Sequence, residues 1–202
     1  MTNRREFLQI GITASAWPLA SQAVRAAGAE VSETSSLPLY KVIYDQRLAA
    51  SVGFANRAQA LGLPTHAIEG DMTRFWYDDL YHQWKQRPIA IAGLTEHGPM
   101  FCFEQLARDH GMRAIFRAKH NITAEGGVAH ELSGPLTMLS ETTALNGNDS
   151  AWSMCMADVV AECPKGRNEI STATALTTQS TAGFGPDSED LYTWVIAPAV
   201  KA

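Results

Sequence analysis

The chain lacks the short motifs that announce a bound cofactor. No Cys-x-x-Cys-His run is present to attach haem, and Cys102, Cys155 and Cys163 are too few and too scattered to hold an iron–sulfur cluster. No Gly-x-Gly-x-x-Gly follows the first expected strand, so a dinucleotide cradle is unsupported. No Gly-x-Ser-x-Gly turn offers an esterase-type nucleophile. No internal repeat is long enough for a solenoid. The weakly apolar stretch that ends near Ala20 is interrupted by Ser15 and Pro18, and it is too short to stay in a bilayer as a permanent anchor. Positive charge is also scarce. The chain carries 16 basic and 21 acidic residues. Residues 1–29 hold three of those bases and one of those acids, so the remainder carries 13 against 20, a net charge of −7. Such a balance suits neither nucleic acid nor an anionic membrane surface.

At the N-terminus Asn3-Arg4-Arg5-Glu6-Phe7-Leu8 joins two adjacent arginines to an apolar pair and a weakly hydrophobic stretch. This segment resembles a twin-arginine (Tat) export signal peptide. Arg25 near its end slows ordinary export of an unfolded chain, and Ala27-Gly28-Ala29 puts small residues where a signal peptidase reads them. Cleavage is expected after Ala29, with Ala26 and Ala23 as alternatives. The resemblance implies passage in the folded state through the twin-arginine translocase, a secreted protein in the periplasm, and either a cofactor inserted beforehand or an escorted partner.

Residues 30–202 have the length and the apolar content of a single domain. Strands are expected at residues 39–44, 64–68, 89–94 and 112–116, with helices between them. The first helix, residues 47–61, stops at Gly62; the second carries Trp76, Leu80 and Trp84; the third starts near Pro99 and ends at Gly111. Connections of that length join parallel strands through crossover helices. The fold class expected is therefore α/β: three layers on a mostly parallel open sheet, in a flavodoxin-like or Rossmann-like arrangement, with a loop-rich C-terminal part. Residues 121–150 read as loops around short elements, residues 151–163 as helix or strand, and residues 171–188 as a long connection. A last strand is expected at residues 191–196.

In an open parallel sheet, ligands bind beyond the carboxyl ends of the strands. The four strands place Asp45, Glu69 to Asp71, Glu96 with His97, and Arg117 to His120 along that edge. Glu96-His97-Gly98-Pro99 is its most specific piece. Gly98 permits close backbone approach, the following helix start can hold an anion, and His97 can bind or move a proton near neutral pH. The candidate catalytic or ligand-binding residues are thus His97, Glu96, Gly98, Asp45, Arg117 and His120, facing a small polar or anionic ligand. His97, His120 and His130 with Asp45 or Asp71 have the chemistry for a transition metal, but their spacing matches no compact motif, and no metal is assigned. Cys155 and Cys163 are placed to close a short disulfide loop in an oxidising compartment, while Cys102 reads as a buried thiol in a helix. Phe75, Trp76, Tyr77, Tyr81 and Trp84 crowd one helix on more than one face, which suits a protein interface as well as a core.

The function expected is an exported accessory or ligand-binding subunit that accompanies a periplasmic redox enzyme. The alternatives are a small periplasmic enzyme using His97 as acid or base with Glu96 or Asp45, and a stand-alone solute-binding protein.

Overall fold

A computed structural model describes residues 36–124, 126–146, 151–166, 169–178 and 190–199, all within the unit that begins at Ser35. The export signal and its cleavage positions lie outside the described residues.

The first half follows the expected alternation. Strand β1 is Leu39–Asp45, helix α1 Ala49–Ala60 and β2 Thr65–Ile68. Helix α2 has three parts: Thr73–Phe75, a π-turn at Trp76–Leu80, and Tyr81–Gln86. Strand β3 is Ala90–Glu96, α3 His97–Asp109 and β4 Met112–Ile122. The wide turn of α2 absorbs one extra residue. Trp76, Leu80 and Trp84 are buried, whereas Tyr77 and Tyr81 are exposed. The aromatic crowd therefore divides between core and surface.

The second half departs from expectation. Strand β5 is Val128–Pro135, α4 Leu136–Glu141 with a 3-10 turn at Thr142–Leu145, and α5 Trp152–Ala161. Strand β6 is Ile170–Thr177 and β7 Leu191–Pro198. The seven strands form one sheet in the order β2-β1-β3-β7-β4-β5-β6. The two ladders joining β2, β1 and β3 are parallel, and the other four are antiparallel. The expected mostly parallel sheet is thus overturned: this is an α/β fold on a mostly antiparallel sheet. The reason is topological. The last strand enters antiparallel between β3 and β4, which still share a direction, and β4 turns straight into β5 as a hairpin, which only antiparallel strands can do.

Two apolar layers sandwich the sheet. One gathers Phe54 and Ala58 of α1 with Met138 of α4 and Trp152, Met156 and Val160 of α5, over Val42, Phe116, Leu132 and Val195. The other gathers Trp76 and Trp84 of α2 with Met100 and Phe103 of α3, over Ile43, Ile91, Trp194 and Ile196. Helices thus pack on both faces of the sheet. Gly93, central in β3, lets the layers close. A Cβ there would stand 2.6 Å from the Ile43 carbonyl oxygen and 2.6 Å from Cζ2 of Trp194. Among the described residues nothing covers the second face of the sheet beyond α3. Arg117 and Lys119 of β4, Glu131 and Ser133 of β5, and Thr172 and Thr174 of β6 border a depression of about 400 Å³, beside exposed Leu176 and Ile170. Among the described residues no helix is long and apolar enough to cross a membrane.

Candidate functional site

The carboxyl ends of β1 and β3 meet where the chain's crossovers part, α1 to one face and α2 to the other. Asp45 ends β1 and is wholly buried. Its N–H donates to Ser51 Oγ (2.8 Å), and the Ser51 hydroxyl donates to the Leu94 carbonyl of β3. Arg47 closes the crevice. Its Nε donates to Asp45 Oδ1 (2.9 Å), one terminal nitrogen to Asp45 Oδ2 (2.6 Å), and the same nitrogen to Glu96 Oε2 (2.8 Å). Two carboxylates hold the guanidinium protonated, Asp45 more strongly than Glu96. Asp45 and Glu96 are thus brought together as expected, but around an arginine that satisfies both.

His97 begins α3 and is exposed. Its ring stacks on Phe101, with centroids 5.9 Å apart, and meets Tyr192 edge-on at 5.4 Å. Among the described residues no carboxylate pairs with it. Gly98 follows in open space, where a Cβ would meet nothing within 4 Å. No close approach requires a glycine there.

Arg117 and His120 do not reach this edge. Strand β4 continues to Ile122 rather than stopping near residue 116, so both lie inside it on opposite faces. Arg117 Nε donates to Glu104 Oε1 of α3 (2.5 Å), and Lys119 pairs with Asp190 (2.9 Å). The cations expected to draw an anion are therefore already neutralised.

His120 points into the core beneath α5 and faces His130 of β5. The hairpin register pairs the two residues directly, with Nδ1 to Nδ1 at 2.6 Å. His120 Nε2 lies 2.9 Å from Thr193 Oγ1, and His130 Nε2 lies 3.0 Å from Thr177 Oγ1. Trp152 covers both rings, with centroids at 4.5 and 5.5 Å. Burial keeps both imidazoles neutral: it drives His130 down to about 4, and His120 well below its ordinary value with help from His130. The proton positions then follow. Thr177 spends its single hydroxyl proton on the Leu145 carbonyl (2.7 Å), so its oxygen accepts from His130 Nε2–H. A neutral imidazole carries one proton, so His130 Nδ1 is bare and accepts from His120 Nδ1–H. His120 Nε2 is bare in turn and accepts from the Thr193 hydroxyl. The chain runs one way, from β7 through β4 and β5 to β6 and the 3-10 turn. Two nitrogens tetrahedral about one metal at zinc-like bond lengths would stand about 3.3 Å apart. The 2.6 Å contact is a hydrogen bond. Among the described residues no three metal-ligating side chains converge.

Sequence reasoning singled out both histidines but neither threonine. The alternation of Val128, His130 and Leu132 marks an inward face, and it was the available signal.

A cavity of about 460 Å³ opens at the carboxyl end of β2, lined by His66, Glu69, Asp71, Phe75, Asp78 and Asp79 among others. His66 stacks on Phe75 with centroids 4.1 Å apart. Its pKa is lowered by burial first and by Lys41 second. Arg74 in the same wall bonds to Asp78, so the walls repel rather than attract an anion.

No disulfide joins the cysteines. Cys155 lies within α5, and the six helical steps to Ala161 rise about 9 Å, beyond the ~7 Å span of a bridge. Cys163 continues in the same sense, its N–H donating to the Val160 carbonyl. Cys163 is buried, which pushes its thiol up to about 12. Cys102 lies exposed on α3 rather than buried, because Phe103 and Ala107 take the inward stripe. No protein-family model, curated protein or solved structure matches this chain.

Proposed function

We propose that this domain is a non-catalytic accessory or ligand-binding subunit, exported folded to the periplasm beside a redox enzyme. The observation that carries the non-catalytic part is the state of the titratable groups. At the strand edge, Asp45 and Glu96 are locked on Arg47. The imidazoles perturbed most strongly, His120 and His130, are 0% and 1% exposed and cannot touch a substrate. A general base needs a reachable proton and a poised pKa; neither set offers both. The open sheet face beyond α3 leaves room for a protein surface. The cavity beside β2 favours a second reading, that of a subunit holding a small polar ligand. Cationic or neutral ligands suit its acidic walls, and an anionic one does not. The export and redox parts rest on the likeness of Asn3 to Leu8 to twin-arginine signals.

Two measurements test this. Replacing Arg4 and Arg5 together by lysine should hold the precursor in the cytoplasm; undiminished appearance of mature protein in the periplasm refutes the export route. Native mass measurement of protein purified from the periplasm should find a stoichiometric larger partner. A monomer that turns over a substrate, with the activity lost in His97→Ala, would restore the enzyme reading.

A further inference from the structure

We propose that the His120–His130 pair is an acid-operated latch: neutral, it ties β6 and the 3-10 turn Thr142–Leu145 to the centre of the sheet, and protonated, it lets that corner open. This is independent of the accessory reading. The latch is built from the one-way chain of hydrogen bonds. Its outer end is Thr177, the last residue of edge strand β6, whose hydroxyl holds the Leu145 carbonyl at the end of the 3-10 turn. Its inner end is Thr193, in the central strand β7.

An added proton has two places to go, the bare Nε2 of His120 and the bare Nδ1 of His130. At His120 Nε2 it forces the Thr193 hydroxyl to reverse from donor to acceptor, and it leaves a cation in the core. At His130 Nδ1 it sets two N–H groups face to face across 2.6 Å, and the central bond is lost. Among the described residues nothing nearby neutralises the charge. Thr193 and Leu191 come from β7, Thr177 and Ala175 from β6, Leu145 from the 3-10 turn, and Trp152 and Met156 from α5. Among the described residues, the titratable groups sharing this core are the thiols Cys155 and Cys163. Lys119 and Glu131, next in sequence to the two histidines, project from the opposite face of the sheet. Asp158 of α5 pairs with Arg57, and Glu141 at the end of α4 is exposed. Burial lowers both imidazole pKa values, so the added proton enters only at acid pH. Strand β6 is laddered on one side only and the turn is short, so the lost bonds are felt at this corner first.

The test is amide exchange on the full mature chain at about pH 7 and about pH 4.5, corrected for intrinsic rates, beside nitrogen NMR of the histidine rings. At the higher pH the rings should show His120 protonated at Nδ1 and His130 at Nε2. At the lower pH, residues 175–177 and 142–145 should exchange roughly tenfold faster, while β1 and β3 stay protected. His130→Gln keeps a donor for Thr177 and an acceptor for His120 but adds no charge. It should shift the acid opening to lower pH, because the proton then has only the more deeply buried His120 to enter. Reversed tautomers in the unaltered protein overturn the proposal without any variant. So does exchange that accelerates equally throughout the sheet, or ring titration near the ordinary histidine value with no local opening.

Discussion

Replacing Gly93 by alanine tests how the two layers meet across the sheet. The new Cβ would lie 2.6 Å from both the Ile43 carbonyl oxygen and Trp194 Cζ2, against 3.4–4 Å for an ordinary contact. Neither neighbour gives way easily. Ile43 belongs to β1, which is ladder-paired on both sides. The Trp194 indole is wholly buried, packs against Phe103, and donates its Nε1–H to Thr95 Oγ1 at 3.1 Å. Overpacking of this kind costs about 1–3 kcal/mol, and loss of the indole hydrogen bond adds about 1 kcal/mol. The lower chain entropy of unfolded alanine returns about 0.5–1 kcal/mol. The net loss is about 1–3 kcal/mol, or a fall in Tm of about 3–10 °C for a domain of this size. Calorimetry on the purified protein reads it directly. Gly98→Ala is the control, because its Cβ meets nothing; its Tm should hold or rise slightly. In a Trp194→Phe background the Gly93→Ala cost should shrink, since the smaller ring relieves half of the clash. A Gly93→Ala protein that melts with or above the unaltered one refutes the packing argument.

Arg47→Met strands the buried Asp45 carboxylate, and urea unfolding should show a loss of about 2–3 kcal/mol. Arg74→Met, which breaks an exposed pair, should leave the midpoint unchanged. Thiol labelling of the native chain should modify Cys102 first and spare Cys163 until unfolding, because its thiol is buried and pushed up to about 12. Denatured, unreduced protein should yield all three thiols; recovery of Cys102 alone would restore the disulfide. On the open sheet face, Leu176→Asp should abolish recovery of a stoichiometric partner with no change in Tm, and an unchanged complex would move that contact elsewhere.

The first half of the fold was readable from sequence because its periods are clean. Ile91, Ala92 and Leu94 form a continuous apolar run buried on both faces, and Gly62 and Gly111 punctuate the helices with positive φ. The second half hid its strands in polar dress. Strand β5 turns His130 inward, and a histidine reads as a loop residue until a partner across the hairpin is known. Strand β6 is largely threonine and alanine and lies at an edge, where a hydrophobic face is only half needed. Strand direction is written in no local pattern at all: residues 191–196 announce a strand but not that it runs backwards. The site was read with the same strength and weakness. Asp45 and Glu96 were placed correctly at the end of their strands. Arg117 and His120 were misplaced because β4 runs six residues past Phe116, and alternation then sends one to each face.

The antiparallel entry of β7 between β3 and β4 makes the middle of the sheet the last part to be completed in chain order. Ile196 pairs with Ile91, roughly a hundred residues earlier, and on its other side with Ala114. Until residues 191–198 are available, β3 and β4 each present a bare hydrogen-bonding edge beside Ile91, Leu94 and Phe116, a surface inviting aggregation. During synthesis, the sheet cannot close around a nascent fragment. It must wait for its keystone strand, Leu191–Pro198.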